Sequence, residues 1–132
     1  MNMSDDKKIL IVDDDADQRE ILAIELQSAG YQVLTAEGES AAEDLLMSTR
    51  PDLAVVDLMM DNMDSGFVLS HRIKQLYPET PVIILTSVAA ETRLEFNIDP
   101  DDKQSWIKAD AWIDKPVRAE QLCGEIERLL NA

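Results

Sequence analysis

Three short runs of purely apolar residues, at positions 9–12 (ILIV), 53–56 (LAVV) and 82–85 (VIIL), constrain this chain more than any other feature. A strand with one face in water alternates apolar and polar residues. A strand that is apolar throughout is covered on both faces, as in a parallel sheet. Weaker runs at 31–34 and 111–113 bring the number of expected strands to five. Segments with helical spacing lie between them. Leu22, Leu26 and Ala29 fall at i, i+4, i+7 before Gly30, Leu69, Ile73 and Leu76 repeat that spacing before Pro78, and Leu122, Ile126 and Leu129 do so again. Parallel neighbours need crossovers, and those are right-handed. The pattern predicts an α/β fold: a five-stranded parallel sheet, doubly wound, with helices on both faces.

The 132 residues suit one domain with a real core. We expect a single domain over 1–132, with a tail at 1–6 and an extended segment at about 91–110 between the fourth and fifth strands, part of it an insertion. The DPDD within that segment does not make a calcium loop: position 103, where an oxygen ligand is wanted, is Lys103, and the loop glycine is missing. Acidic residues outnumber basic ones 27 to 12, for a net charge of -15. Such a surface repels phosphate backbones and anionic lipid, so neither direct nucleic-acid binding nor membrane association is expected. One cysteine, no apolar leader in MNMSDDKK and no long apolar segment point to the cytoplasm.

Sheets of this kind bind ligands beyond the carboxyl ends of their strands. Those ends carry Asp13 and Asp14 after the first strand, Asp57 after the third, Thr86 and Ser87 after the fourth, and Lys115 after the fifth. Three carboxylates at one edge need a cation, and a small hard oxygen cluster suits Mg²⁺. With Lys115 the charges then sum to zero.

The ordered set KILIVDDD, LAVVDLMM, PVIILTS and DKP resembles the receiver domain of two-component response regulators, over essentially the whole chain. The resemblance implies a flavodoxin-like strand order of 2-1-3-4-5. It also implies a phosphoacceptor function in a phosphorelay: Asp57 receives a phosphoryl group from the phosphohistidine of a sensor histidine kinase or phosphotransfer protein. Asp13, Asp14, Asp57 and the backbone carbonyl of Met59 make up the magnesium site, Asp14 as a direct ligand and Asp13 as its water-mediated partner. Lys115 pairs with a phosphoryl oxygen, Thr86 turns inward to bond another, Ser87 leaves room for it, and Trp112 takes the switch-aromatic position. The switch then signals to a downstream target protein or to a second copy through the face of the fourth and fifth helices. Helix one, around residues 17–24, is the expected kinase-docking face.

Met59 and Val88 stand at the positions that tune the lifetime of the acyl phosphate. Neither offers a hydrogen bond to an attacking water, so a long-lived phosphoryl group is expected, with slow autodephosphorylation and no other enzymatic activity. Two departures concern geometry. Asp61 replaces the usual proline after DLMM and Ser65 lengthens the turn, and the stretch from Thr86 to Lys115 is longer than the family's usual spacing. The final helix, 117–130, ends close to Ala132, so the expectation is a stand-alone receiver whose output passes to another molecule.

Several residues also have ordinary roles. Asp15 is a helix cap in waiting, Trp112 has a plain packing alternative, His71 reads as an exposed helical residue, and Cys123 as structural. Met59, Met60 and Met63 read as loop packing. A metal-dependent phosphohydrolase needs a second acid two positions beyond the nucleophile, and Met59 is there. A flavin protein needs a phosphate loop where three aspartates stand. The remaining alternative is a receiver-like interaction module that works without phosphorylation.

Overall fold

The computed structural model describes residues 7–58, 65–86 and 110–131. Five strands and four helices fall within them: β1 (Lys8–Val12), α1 (Ala16–Ser28), β2 (Gln32–Ala36), α2 (Glu39–Ser48), β3 (Leu53–Asp57), α3 (Ser65–Leu76), β4 (Val82–Thr86), β5 (Ala111–Asp114) and α4 (Ala119–Leu130). The strands form one parallel sheet in the order β2-β1-β3-β4-β5. This is the flavodoxin-like doubly wound arrangement. Here α4 is the helix expected as the fifth; the one expected before it, and most of the 91–110 segment, lie outside the described residues.

The uninterrupted apolar runs split by parity. Ile9, Ile11, Leu53, Val55, Ile83 and Leu85 point to one face, where Leu22 and Leu26 of α1 and Leu122 and Ile126 of α4 cover them. Leu10, Val12, Ala54, Val56 and Ile84 point to the other, against Ala42 and Leu46 of α2 and Leu69 and Ile73 of α3. Side chains alternate along a strand, so a strand buried on both sides must be apolar at every position. Each large aliphatic residue so buried contributes about 1.5–3 kcal/mol.

The end of α1 corrects two details. Ala29 is not on the buried stripe: it is the C-cap and is exposed. Gly30 follows at φ 100°, donating to the Gln27 carbonyl at 3.0 Å, while Tyr31 donates to Leu26 at 3.1 Å. This is a Schellman closure, with glycine at the left-handed position and the next residue folded back on the helix. Tyr31 therefore packs with Leu26 in the core, and the second strand begins at Gln32 rather than at Tyr31. Among the described residues, no helix is long and apolar enough to cross a membrane.

Candidate functional site

The order β2-β1-β3 places the chain reversal of the sheet beside β1, so crossovers leave β1 and β3 toward opposite faces and open a crevice at their carboxyl ends. Both strands run into aspartate there. Asp57 is the last residue of β3 and is 5% exposed. Asp13 follows β1 and is fully buried, its N–H donating to the Ala36 carbonyl at 3.2 Å. Asp14 is exposed, on the rim of an open groove of about 550 Å³ that Glu37, Gly38, Ser40, Ala41 and Asp44 also line. Oxygens of Asp13, Asp14 and Asp57 all lie within 4.8 Å of one another.

Short-range contacts fix this geometry. Asp15 caps α1, its Oδ1 accepting from the N–H groups of Asp17 (3.0 Å) and Gln18 (3.2 Å), and so takes the ordinary role anticipated for it. Its own N–H donates to Asp13 Oδ1 at 2.9 Å. Asp13 Oδ2 is left buried with no hydrogen-bond partner among the described residues. On the far side, Lys115 Nζ lies 3.0 Å from Asp57 Oδ1. Lys115 is held in turn by its N–H donating to the Thr86 carbonyl at 2.7 Å, and the peptide between it and Pro116 is cis. Thr86 closes β4 and is buried opposite Asp114 of β5.

Gly66 contributes through what it lacks. Its N–H donates to Leu58 at 2.9 Å, and a Cβ there would fall 2.6 Å from Leu58 Cα and 2.8 Å from the Asp57 carbonyl oxygen. Any side chain would push α3 off the strand end that carries Asp57. The glycine was visible in the sequence, but not the backbone it touches.

Burial is the main cause raising the Asp57 carboxyl to about pKa 6, helped by the charges of Asp13 and Asp14 and opposed by Lys115. Burial likewise raises Asp13, against the pull of the Asp15 N–H and Lys115. Two buried carboxyls held above their ordinary range, an exposed third and an unpartnered buried oxygen form an anionic oxygen set that a small hard cation would satisfy. The triad is able to hold a metal ion.

The other anticipated residues divide into two groups. Trp112, in β5, is half-buried on the α2–α3 side of the sheet, its ring tilted 59° to Phe67 with centroids 6.2 Å apart. His71 is exposed on α3, as expected. Cys123 is half-buried on α4, and burial raises its thiol pKa, in keeping with a structural role. Met59, Met60, Asp61, Met63, Ser87 and Val88 lie outside the described residues. One contact had no signal in the sequence: Arg19 of α1 reaches back to the carbonyl of Asp13, Nη1 to O 2.7 Å.

Comparison with known proteins bears on this arrangement. Residues 9–127 match the family model of the response regulator receiver domain. The phosphate regulon transcriptional regulatory protein PhoB of Pseudomonas aeruginosa is 33% identical over 127 residues, covering 95% of this chain and 52% of its own length. Response regulator MprA of Mycolicibacterium vanbaalenii is 32% identical over 124 residues, covering 94% and 50%. The chain thus spans about half the length of the curated relatives it matches. Among solved structures, response regulator TrrA of Thermotoga maritima, determined in complex with Mg²⁺-BeF, superposes with a TM-score of 0.76 at 31% identity, covering 93% of this chain and 98% of that one. The receiver domain of a signal transduction histidine kinase from Syntrophus aciditrophicus gives 0.77 at 33% identity, covering 95% and 90%. A match over nearly the whole chain, on the same five-stranded sheet whose edge collects the three aspartates, settles the assignment: the chain belongs to the response regulator receiver domain family.

Proposed function

We propose that this receiver is a phosphoacceptor in a two-component phosphorelay, taking a phosphoryl group onto Asp57 from the phosphohistidine of a sensor kinase or phosphotransfer protein. The observation that carries the reading is the pairing of Asp57 with Lys115 at 3.0 Å inside a cluster of three carboxylates. A carboxyl raised to about 6 is still largely ionised at neutral pH, and it is more basic than a free aspartate. Those are the properties of a usable oxygen nucleophile. In the transfer, an Asp57 oxygen forms its bond to phosphorus as the histidine nitrogen leaves. Lys115 fixes the carboxylate through Oδ1 and is placed to pair with an oxygen of the arriving group.

Asp13, Asp14 and Asp57, with the Met59 carbonyl, would hold magnesium, which supplies the positive charge that lets an anionic nucleophile approach an anionic phosphoryl group. The magnesium-bound Thermotoga relative supports that choice of ion. The acyl phosphate carries about two negative charges where the carboxylate carried one, so the transfer adds about one net negative charge to the pocket. Thr86, which closes β4, Ser87, next in the sequence, and Trp112, beside Phe67, respond to that charge and pass the change to a downstream protein. Met59 and Val88 give water no foothold, so the acyl phosphate is long-lived. In this reading the chain works in the cytoplasm as one domain.

The test is incubation with acetyl phosphate and magnesium, followed by intact mass of wild type and Asp57→Asn. A gain of one phosphoryl group that needs magnesium and is lost in the variant is expected. No gain by a folded wild type would overturn the proposal in favour of an interaction module that works without phosphorylation.

A further inference from the structure

Asp13 stands just past the end of β1, where the sheet no longer supplies partners to both sides of its peptide. Its N–H still reaches Ala36, at 3.2 Å, and its Oδ1 accepts from Asp15 at 2.9 Å. Its carbonyl is taken by a side chain: Arg19 Nη1 donates to it at 2.7 Å. Arg19 is itself fixed in the first turn of α1, its N–H donating to the Asp15 carbonyl at 3.0 Å. With three of the polar groups of Asp13 held, the fourth, Oδ2, remains buried and, among the described residues, unpartnered.

The choice of acceptor matters. Asp13, Asp14, Asp15 and Asp17 all lie within six positions of Arg19, and a guanidinium ordinarily prefers a carboxylate fork. Among the described residues it pairs with none of them, and goes to a backbone carbonyl instead. It therefore brings a permanent positive charge beside the acid cluster without consuming an oxygen that a metal would need.

We infer that Arg19 is a positioning residue for the metal-binding carboxylate of Asp13, clamping the β1–α1 junction through the Asp13 carbonyl so that Oδ2 faces the cation site. The inference rests on the proposed function and adds a residue to it. With Arg19 counted, the charge of the phosphorylated, magnesium-loaded pocket comes to zero, whereas without it the same pocket carries about one net negative charge. Arg19 thus favours the loaded state twice, by geometry and by charge.

Magnesium alone is titrated calorimetrically into the full chain as wild type, Arg19→Ala, Arg19→Lys and, as a control for a lost surface cation, Arg128→Ala. Partners that orient a metal ligand typically account for 10–100-fold in affinity, so Arg19→Ala should weaken magnesium binding about tenfold. Arg19→Lys should fall between, and Arg128→Ala should match wild type. In acetyl phosphate reactions the magnesium half-saturation point of Arg19→Ala should move by the same factor, with the same final incorporation at saturating metal. A merely structural role would lower Tm and leave the magnesium affinity in place; that result, or an affinity within twofold of wild type, overturns the inference. If Arg19→Ala does not fold, Arg19→Lys decides, and an unshifted affinity there is equally fatal. A wild type that binds magnesium and is phosphorylated while both variants match it refutes the role of Arg19 alone. A wild type that does neither refutes the proposed function and the inference together.

Discussion

The two ends of the sheet use aspartate in opposite ways. At the amino ends of the strands, Asp52 accepts from the Lys8 N–H at 2.7 Å and ties the start of β1 to the start of β3. Asp110 accepts from the Val82 N–H and from Lys74, both at 2.8 Å, and so joins β4, β5 and α3. At the carboxyl ends, Asp13, Asp14 and Asp57 are crowded together with Lys115 and a buried oxygen that no group among the described residues satisfies. Asp52 and Asp110 keep contact with solvent; Asp57 is almost wholly buried and Asp13 fully so. The same side chain is a staple where its charge is satisfied, and part of a set able to hold a metal ion where several are gathered with too few partners.

The sharpest way to break this contrast is to remove one charge at each end. Asp57→Asn should abolish phosphoryl incorporation completely, whereas Asp110→Asn should leave it intact, both read by intact mass. Stability should move in the opposite sense. Burial raises the folded-state pKa of Asp57 from 3.8 to about 6, so between those values the native protein holds a proton that the unfolded chain has lost. Stability from this group is therefore complete below about pH 4, falls as pH rises, and is fully lost above about 6. The cost at neutral pH is up to about 3 kcal/mol. Asp57→Asn should accordingly be more stable than wild type at pH 7.5 and lose that advantage by pH 4, as measured by urea unfolding.

Magnesium should recover much of that cost. At a hundredfold excess over its Kd, the ion should stabilise wild type by about 2.7 kcal/mol at pH 7.5, and chelation should remove the gain. At pH 5, where Asp57 holds its proton, the thermal shift should shrink. At the other end of the sheet Asp110→Ala strands the buried Val82 N–H and frees Lys74, for a loss of about 1–2 kcal/mol with no change in the magnesium response. Asp52→Ala, at an exposed hydrogen bond, should cost about 1 kcal/mol or less.

Much of this was legible in the residues. The unbroken apolar runs could belong only to strands covered twice, and their ordered termini in Asp13, Asp57, Thr86 and the segment carrying Lys115 marked one sheet edge. The capping role of Asp15 followed from its place before α1. Less visible was anything that depends on backbone meeting backbone. Tyr31 looked like the start of a strand, because a Schellman closure is set by hydrogen bonds to Leu26 and Gln27 rather than by hydrophobic pattern. The demand for glycine at position 66 comes from Leu58, eight positions away.

The sequence alone determined the fold class, the buried strand that ends in Asp57 and the excess of carboxylates at one edge. These are local properties: periodicity decides which faces are buried, and the last residue of a buried strand is the first to emerge at the crevice. Tertiary structure decided which aspartates are paired and which are left wanting. Position in the chain does not reveal that Asp110 meets Lys74, that Lys115 meets Asp57, or that Arg19 passes over its acidic neighbours for the carbonyl of Asp13. Carboxylates are alike as residues. Burial and partners, which only the folded chain supplies, make some of them staples and gather others into a triad able to hold a metal ion.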